Sequence, residues 1–421
     1  MQLTNGSRVV VVGGGPAGSF CALHLLHYAA EAGLRLDVQI FEGRDFSQPG
    51  PGSCNMCAGI LSATLEQNLR SLGLELPPEV ILAELSTYIL HLKGQTLALR
   101  QPDPARRILS VYRGRGPRLG QAPYPASFDG WLLEQARQRG ASVHMERVQS
   151  IQPGGRPRLC TAHGDLDADL VVLATGVNRR PPLHPAWGYR PPRSEQMAQD
   201  EVPWPSEEPG DSVHIFFDYP PGLIFGAIIP KRRYANISLL GRGLGPDAMQ
   251  KFIAGQRLGE VFAAEMPRLC GCAPRVAVSA ARGYYADRLV VVGDAAVTRL
   301  YKDGMGAAFT TAQAAAQTAV QRGVARRDFA AGYQPTCRRI AWDNRYGQLL
   351  FGLWGLVRRI PGFMELWQRP ILTEVDQPPS SHIYTRVLWS MFTGDEPYRK
   401  IFWSALSRPA LFNLWKRMVQ R

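Results

Sequence analysis

The sequence predicts an α/β fold. A dinucleotide-binding domain is interleaved with a smaller β-sheet domain and followed by a helical C-terminal region. Residues 8–42 read as strand, glycine-rich turn, helix, strand and acid. Buried strands near 169–176 and 289–296 return to that pattern, with three β segments (213–218, 223–229, 234–240) between them. After Cys337 the character changes to aromatic, basic helical segments.

Arg8 to Val12 is four valines after an arginine, the pattern of a strand buried on both faces. Gly13-Gly14-Gly15-Pro16-Ala17-Gly18 follows with the spacing G-x-G-x-x-G. Gly13 allows a tight turn, Gly15 lets the backbone approach a pyrophosphate, and Gly18 lets the helix pack closely on the sheet. The helix reads from Ser19 to Ala32, ended by Gly33, and its N-terminus with Pro16 and Ala17 favours phosphate. Val38 to Phe41 is the next strand; Glu42, beside Gly43 and Arg44, is placed to accept from ribose hydroxyls. An ordinary glycine-rich turn does not account for this order of elements.

The 421 residues suffice for two or three domains, with 45% hydrophobic and 20% charged residues, as in globular chains. The net charge of +13 points to an anionic partner: nucleotide, nucleic acid or membrane surface. Residues 1–7 carry no basic n-region, and the seven cysteines are not spaced as a disulfide framework, so a cytoplasmic location is expected. No window approaches the ~20 apolar residues of a spanning helix.

Next comes a glycine- and proline-rich loop, 43–52, and a helix over 62–72. Residues 86–100 alternate about Lys93-Gly94 as an antiparallel hairpin, where a second domain begins to interleave. An arginine-rich loop, 101–125, leads to a helix capped by Ser127 or Asp129 and closed by Gly140, then a strand over 142–148. Residues 178–210 read as irregular connection, 246–266 as helix, and 306–323 as a long alanine-rich helix.

Three separated segments resemble the glutathione-reductase superfamily of flavoproteins: the opening turn with Glu42; Leu173-Ala174-Thr175-Gly176; and Val292-Gly293-Asp294-Ala295-Ala296 with Asp303-Gly304-Met305-Gly306-Ala307-Ala308. The resemblance implies FAD rather than NAD, because a plain dinucleotide fold does not use the distant Gly293-Asp294 motif. It implies that Asp294 contacts the ribityl–pyrophosphate region and that the helix start at Gly304, Gly306 and Ala307 faces the pyrimidine end of the flavin. A single G-x-G-x-x-G makes the chain similar to the p-hydroxybenzoate hydroxylase-like branch, and within it to geranylgeranyl reductase-like flavoproteins. That likeness rests also on Cys57-Ala58-Gly59-Ile60-Leu61-Ser62, Ser127-Phe128-Asp129 and Ile229-Pro230-Lys231. It covers roughly residues 8–330 and implies a Rossmann-type FAD-binding domain over 1–85, 101–180 and 275–336. The substrate domain is then 86–100 and 181–274, and 337–421 a helical cap. Those reductases carry Tyr-x-Trp-x-Phe-Pro where this chain has Phe225-Gly226-Ala227-Ile228-Ile229-Pro230. Ala227 and Ile229 imply a different or wider apolar pocket.

Cys54-x-x-Cys57 has three readings: a redox pair, half a structural zinc site completed by Cys270-x-Cys272, or loop cysteines. The family likeness places Cys57 at the flavin as a lining residue, the one catalytic candidate, with no metal expected. Arg113 and Arg115, flanked by glycines, read equally as phosphate contacts or as a solvated basic loop; Arg113 is taken as cofactor-binding. His24 and His27 read as surface or packing residues.

Residues 337–421 hold thirteen Lys/Arg against six Asp/Glu, and six of the nine tryptophans: Trp342, Trp354, Trp367, Trp389, Trp403 and Trp415. Interfacial helices combine residues in this way, so a membrane surface is the expected partner and nucleic acid is not. The expected function is an FAD-dependent oxidoreductase, peripheral on the inner membrane face. It would transfer a hydride or electrons through flavin N5 to or from a lipophilic substrate, an isoprenoid-like alkene or a quinone, with NAD(P)H or a protein as electron donor. The alternatives are a monooxygenase using NAD(P)H and oxygen, and an electron carrier without small-molecule turnover.

Overall fold

The computed structural model describes residues 1–48, 57–92, 95–116, 119, 124–204, 210–217, 219–258, 268–357, 371, 372, 374 and 382–407. Cys54, Lys93-Gly94, Trp367 and Trp415 lie outside them.

The opening strand Arg8–Val12 is central in a six-stranded sheet. Its neighbours are Leu170–Leu173 and Asp37–Phe41, both parallel, with Val9 opposite Leu170 and Val38. Leu289–Val291 and Ser142–His144 extend the sheet in parallel; Tyr285–Ala286 turns back antiparallel. Alternate side chains of the central strands enter two cores. Val9 and Val11 pack with Phe20 and Phe309. Val10 and Val12 pack with Ile151 and Leu159, from the small sheet 150–167. Burial on both faces explains the unbroken valine run.

Helix Pro16–Glu31 lies against helix Gly304–Gln321. Ala308, Ala312, Ala315 and Ala316 are buried at that helix, where small side chains permit close packing. His24 sits there at 1% exposure, edge-on to Phe309 at 4.7 Å. Neither ring nitrogen has a hydrogen-bond partner among the described residues. Burial, then His27, pushes its pKa down from 6.5 to about 3. The unfolded chain therefore binds a proton there that the folded chain does not. Stability is expected to fall as pH drops from 6.5 toward 3, by about 1.4 kcal/mol per unit. His24→Leu should flatten that part of a urea-unfolding pH profile; an unchanged slope would remove His24 as its source.

The second sheet also has six strands, ordered Ala198–Pro203, Tyr234–Gly241, Leu223–Lys231, Ser212–Phe216, Thr87–Leu92 and Gln95–Arg100. The hairpin at 87–100 joins it through a parallel pairing of Thr87–Leu92 with Ser212–Phe216. Helix Ala248–Gly255 covers one face through Phe252, Ile237 and Leu239. The other face carries Tyr88, Leu90, Val213 and Ile215 and packs in part on Trp389 and Leu388 of helix Ile383–Thr393.

Residues 178–210 are not wholly irregular. Ser194–Gln196 pairs with Arg275–Ala277, and Ala198–Pro203 forms an edge strand. Pro203 ends that edge strand, a position that tolerates proline.

The cap comprises helices Gln334–Val357, Ile383–Thr393 and Tyr398–Ala405 among the described residues. It is tied to loop 298–303. Asn344 accepts from the Leu300 N–H at 2.9 Å and donates to the Thr298 carbonyl at 2.8 Å. Arg299 donates to the carbonyls of Gly394 and Glu396. The tryptophans divide. Trp389 is buried and Trp354 packs on Phe217 at 5.0 Å, whereas Trp342 and Trp403 are exposed. Trp354 and Trp389 are therefore not membrane-facing, because their helix faces are covered by the second sheet.

Candidate active site

A cavity of about 1250 Å³ lies between the two sheets. Its nucleotide end is built by close backbone approaches. Gly13 has φ +108°, and a Cβ there would stand 2.7 Å from the Ala174 carbonyl oxygen. A Cβ on Gly18 would lie 1.8 Å from the Gly13 carbonyl oxygen, so the turn and the helix meet backbone to backbone. Gly15 differs: the nearest atom to its Cβ position is Arg113 Nη2, at 3.7 Å. Helix Pro16–Glu31 begins at Gly15 with no side-chain cap. Gly15 thus lines the cavity at an uncapped helix N-terminus.

Glu42 is held before any ligand arrives. Its Oε2 accepts from the Gly14 N–H and its Oε1 from the Arg44 N–H, both at 2.9 Å. Each oxygen keeps acceptor capacity for a ribose hydroxyl. Gly43 packs beneath the Arg147 side chain. Arg147 and Arg179 line the cavity with Arg44, and no sequence signal had marked them. Burial, followed by repulsion from Arg44 and Arg147, pushes the Arg179 pKa down, as expected of clustered cations.

Arg113 forms a fork on Asp129, Nε–Oδ1 at 3.1 Å and Nη2–Oδ2 at 2.9 Å. Asp129 is fully buried. Ser127 caps helix Phe128–Gln138, accepting from the Gly130 N–H at 3.0 Å and donating to the Arg113 carbonyl at 2.6 Å. The two cap candidates thus divide: Ser127 caps, and Asp129 binds arginine. Burial opposes charge on Arg113, but Asp129 overrides it and raises its pKa. Arg113 therefore offers a fixed cation beside Gly15. Arg115 instead donates to the Ser47 carbonyl at 2.5 Å.

Asp294 and Cys57 also line the cavity, as do Ala174, Thr175 and Gly176. Burial pushes Asp294 above the usual carboxylate range, against Thr298 and Arg113. Gly293 has φ +63°, and its Cβ position is 2.6 Å from Ala17 Cβ. Helix Gly304–Gln321 is capped by Asp303, whose Oδ1 accepts from the Gly306 N–H at 3.2 Å. Gly304 and Met305 line the cavity; Gly18, Gly293, Gly306 and Ala307 are not in its lining, and the first two make close contacts, to the Gly13 carbonyl oxygen and to Ala17 Cβ.

Beyond lies an apolar wall that includes Tyr88, Val213, Ile215, Phe225, Ala227, Ile229, Leu240 and Phe392. Ala227 and Ile229 leave room that aromatic rings would fill. Tyr301 was not marked by the sequence. It lines the cavity at φ +63°, costly for an aromatic residue. Its Oη donates to Glu195 Oε2 at 2.9 Å and its ring meets Phe351 at 5.2 Å. Lys302 beside it is pushed well down by burial, then by Arg299; it donates to the Ser390 carbonyl and lies 4.2 Å from the Tyr398 ring centroid.

The cradle fits a dinucleotide on its own geometry. Gly15 lines the cavity without a tight contact at its Cβ position, Glu42 is preset, Arg113 supplies charge, and the buried Thr175 Oγ1 lining the cavity has no partner among the described residues. Among the described residues no group of three His, Cys, Asp or Glu is arranged to hold a metal ion.

No family model matches the chain. It is 24% identical over 360 residues to Protein FixC of Azotobacter vinelandii, across 77% of this chain and 78% of that one. Its structure is similar to that of a geranylgeranyl bacteriochlorophyll reductase-like protein from Thermoplasma acidophilum. The TM-score is 0.67 at 15% identity, over 96% of this chain and 99% of the other. The flavin-dependent brominase Bmp2 is similar at TM-score 0.59 and 17% identity, over 86% and 93%. The chain shares with these structures a mixed α/β fold, a Rossmann-type dinucleotide-binding domain with a second sheet and a helical region.

Proposed function

We propose that this chain is an FAD-dependent oxidoreductase acting on a lipophilic small molecule, an isoprenoid-like alkene or a quinone, taken from a membrane surface. When bound, FAD supplies hydride or electron transfer at N5. The chain's part is to hold and orient. The Gly13–Gly18 turn and helix start take the pyrophosphate, and Glu42 the ribose. Arg113, fixed by Asp129, balances phosphate charge. The helix start at Gly304 would offer partial positive charge to the flavin. Phe225, Ile229 and Phe392 exclude water from the reacting end. A flavin-dependent structural neighbour and a reductase-like one support this reading.

One observation carries the substrate class. Helix Gln334–Val357 turns Phe351 toward Phe225 and Trp354 toward Phe217, at the cavity's aromatic end. Its other side exposes Leu349, Leu353 and Leu356, at helical spacing. One helix thus links an apolar cavity to an exposed apolar stripe, on a segment rich in arginine. Among the described residues no helix is long and apolar enough to cross a membrane. The proposed contact is therefore interfacial.

The holoprotein is expected to bind anionic phospholipid vesicles, with release by detergent more complete than by salt. Joint replacement of Leu349, Leu353 and Leu356 by Ser should weaken binding about tenfold or more without lowering the melting temperature. Dithionite-reduced holoprotein, mixed anaerobically with a short-chain isoprenoid quinone or an isoprenoid alkene, should regain flavin absorbance. Vesicle binding unaffected by the triple change, or no reoxidation by either compound, would overturn the reading.

A further inference from the structure

Cys270-Gly271-Cys272 belongs to neither the cradle nor the apolar wall. The two sulfur atoms stand 3.1 Å apart. Gly271, at φ +65°, makes the turn that brings them to one side. Asp200, 1% exposed, grips that turn from below: its two carboxylate oxygens accept from the Cys270 and Gly271 N–H groups, both at 2.9 Å. A buried carboxylate thus holds two sulfurs together, in a chain whose other described cysteines are also free thiols. Cys272 is buried and Cys270 half-buried, so one sulfur is accessible and the other waits behind it. Among the described residues no group of three His, Cys, Asp or Glu is arranged around this pair, and Cys54, which the zinc reading requires, lies outside them.

We propose that Cys270 and Cys272 are a redox-active dithiol that closes to an intraloop disulfide by exchange with a low-molecular-weight disulfide. Cys270 Sγ, as thiolate, attacks one sulfur of the external disulfide. The bond between the external sulfurs breaks, and the first thiol leaves with a proton. Cys272 Sγ then displaces the second thiol from the mixed disulfide. The dithiol loses two electrons and two protons, and the external disulfide becomes two thiols. The turn is already set by Asp200, so closure needs little backbone movement.

The hydrogen bond with Cys272, burial and the Asp200 carboxylate all push the Cys270 thiol up. Little thiolate is then present at neutral pH, and exchange should accelerate roughly tenfold per pH unit. A dithiol that gains nothing from thiolate formation also favours its disulfide, the opposite of strongly oxidising couples with stabilised thiolates. The redox state would be read at the cavity. The Cys272 carbonyl accepts from the Gln199 N–H at 2.9 Å, and both Gln199 and Pro274 line the wall.

The test uses the reduced full-length protein, incubated with oxidised glutathione at neutral and mildly alkaline pH, then alkylated, digested and mapped by mass spectrometry. The expected product is a peptide spanning 270–272 that has lost two hydrogens and carries no alkyl group, formed faster at the higher pH. In Cys272→Ser, a glutathione adduct on Cys270 should accumulate instead. Two alkylated sulfurs after prolonged incubation of the wild type, or a disulfide joining either cysteine to another part of the chain, would overturn the proposal. The wild-type result decides the matter even if the variant does not fold.

Discussion

Gly18→Ala is expected to cost about 3 kcal/mol or more in urea unfolding, near or beyond the upper end for overpacked sites. Its Cβ would stand 1.8 Å from a backbone carbonyl oxygen, that of Gly13, which no rotamer change relieves. The opening turn or the helix must shift, and either movement disturbs the helix N-terminus at the cavity. Gly33→Ala is the control. Gly33 has φ +69° with nothing within 4 Å of its Cβ position, so only the left-handed backbone is penalised, by about 1 kcal/mol. Equal costs at the two positions would show that close packing of turn and helix is not what Gly18 serves.

Asp129→Ala is expected to lose about 3 kcal/mol, the lower end for a broken buried pair, because Arg113 retains 21% exposure. The loss comes mainly from leaving the Arg113 guanidinium without its fork. The double variant Arg113→Met, Asp129→Leu should recover much of that stability while binding FAD more weakly, since no charge remains beside Gly15. A single Asp129→Ala that unfolds like the wild type would mean that the fork does not organise this end of the site.

The opening turn was legible because each glycine answers a distinct local demand, and the valine run because burial on both faces leaves no polar position. The hairpin at 87–100 was legible from its alternation. Its parallel neighbour, Ser212–Phe216, was legible as a strand but not as this hairpin's partner, since nothing local specifies a pairing across more than a hundred residues. Ala198–Pro203 was missed because Asp200, Glu201 and Pro203 argue against a strand; its pairing with Tyr234–Gly241 supplies what propensity does not. The site divides in the same way. Glu42 follows from its strand end, whereas Arg147, Arg179 and Tyr301 reach the cavity from loops or edges without a motif. Asp129 read as a cap because its place near a helix start fits one, and only the fold brings Arg113 onto it. The inward turn of Trp354 and Trp389 could not be read from helices that are aromatic on more than one face.

The cradle is expected to hold FAD. Titrating the purified protein with FAD, followed by flavin fluorescence and visible absorbance, tests it most directly. The expected result is a yellow protein with one FAD per chain, released on denaturation because no covalent link is expected. In Glu42→Ala, binding should weaken by roughly ten- to a hundredfold, the worth of a hydrogen bond to a charged acceptor at ~1.5–3 kcal/mol. A folded, colourless protein that takes up no added FAD would rule out FAD as the cofactor.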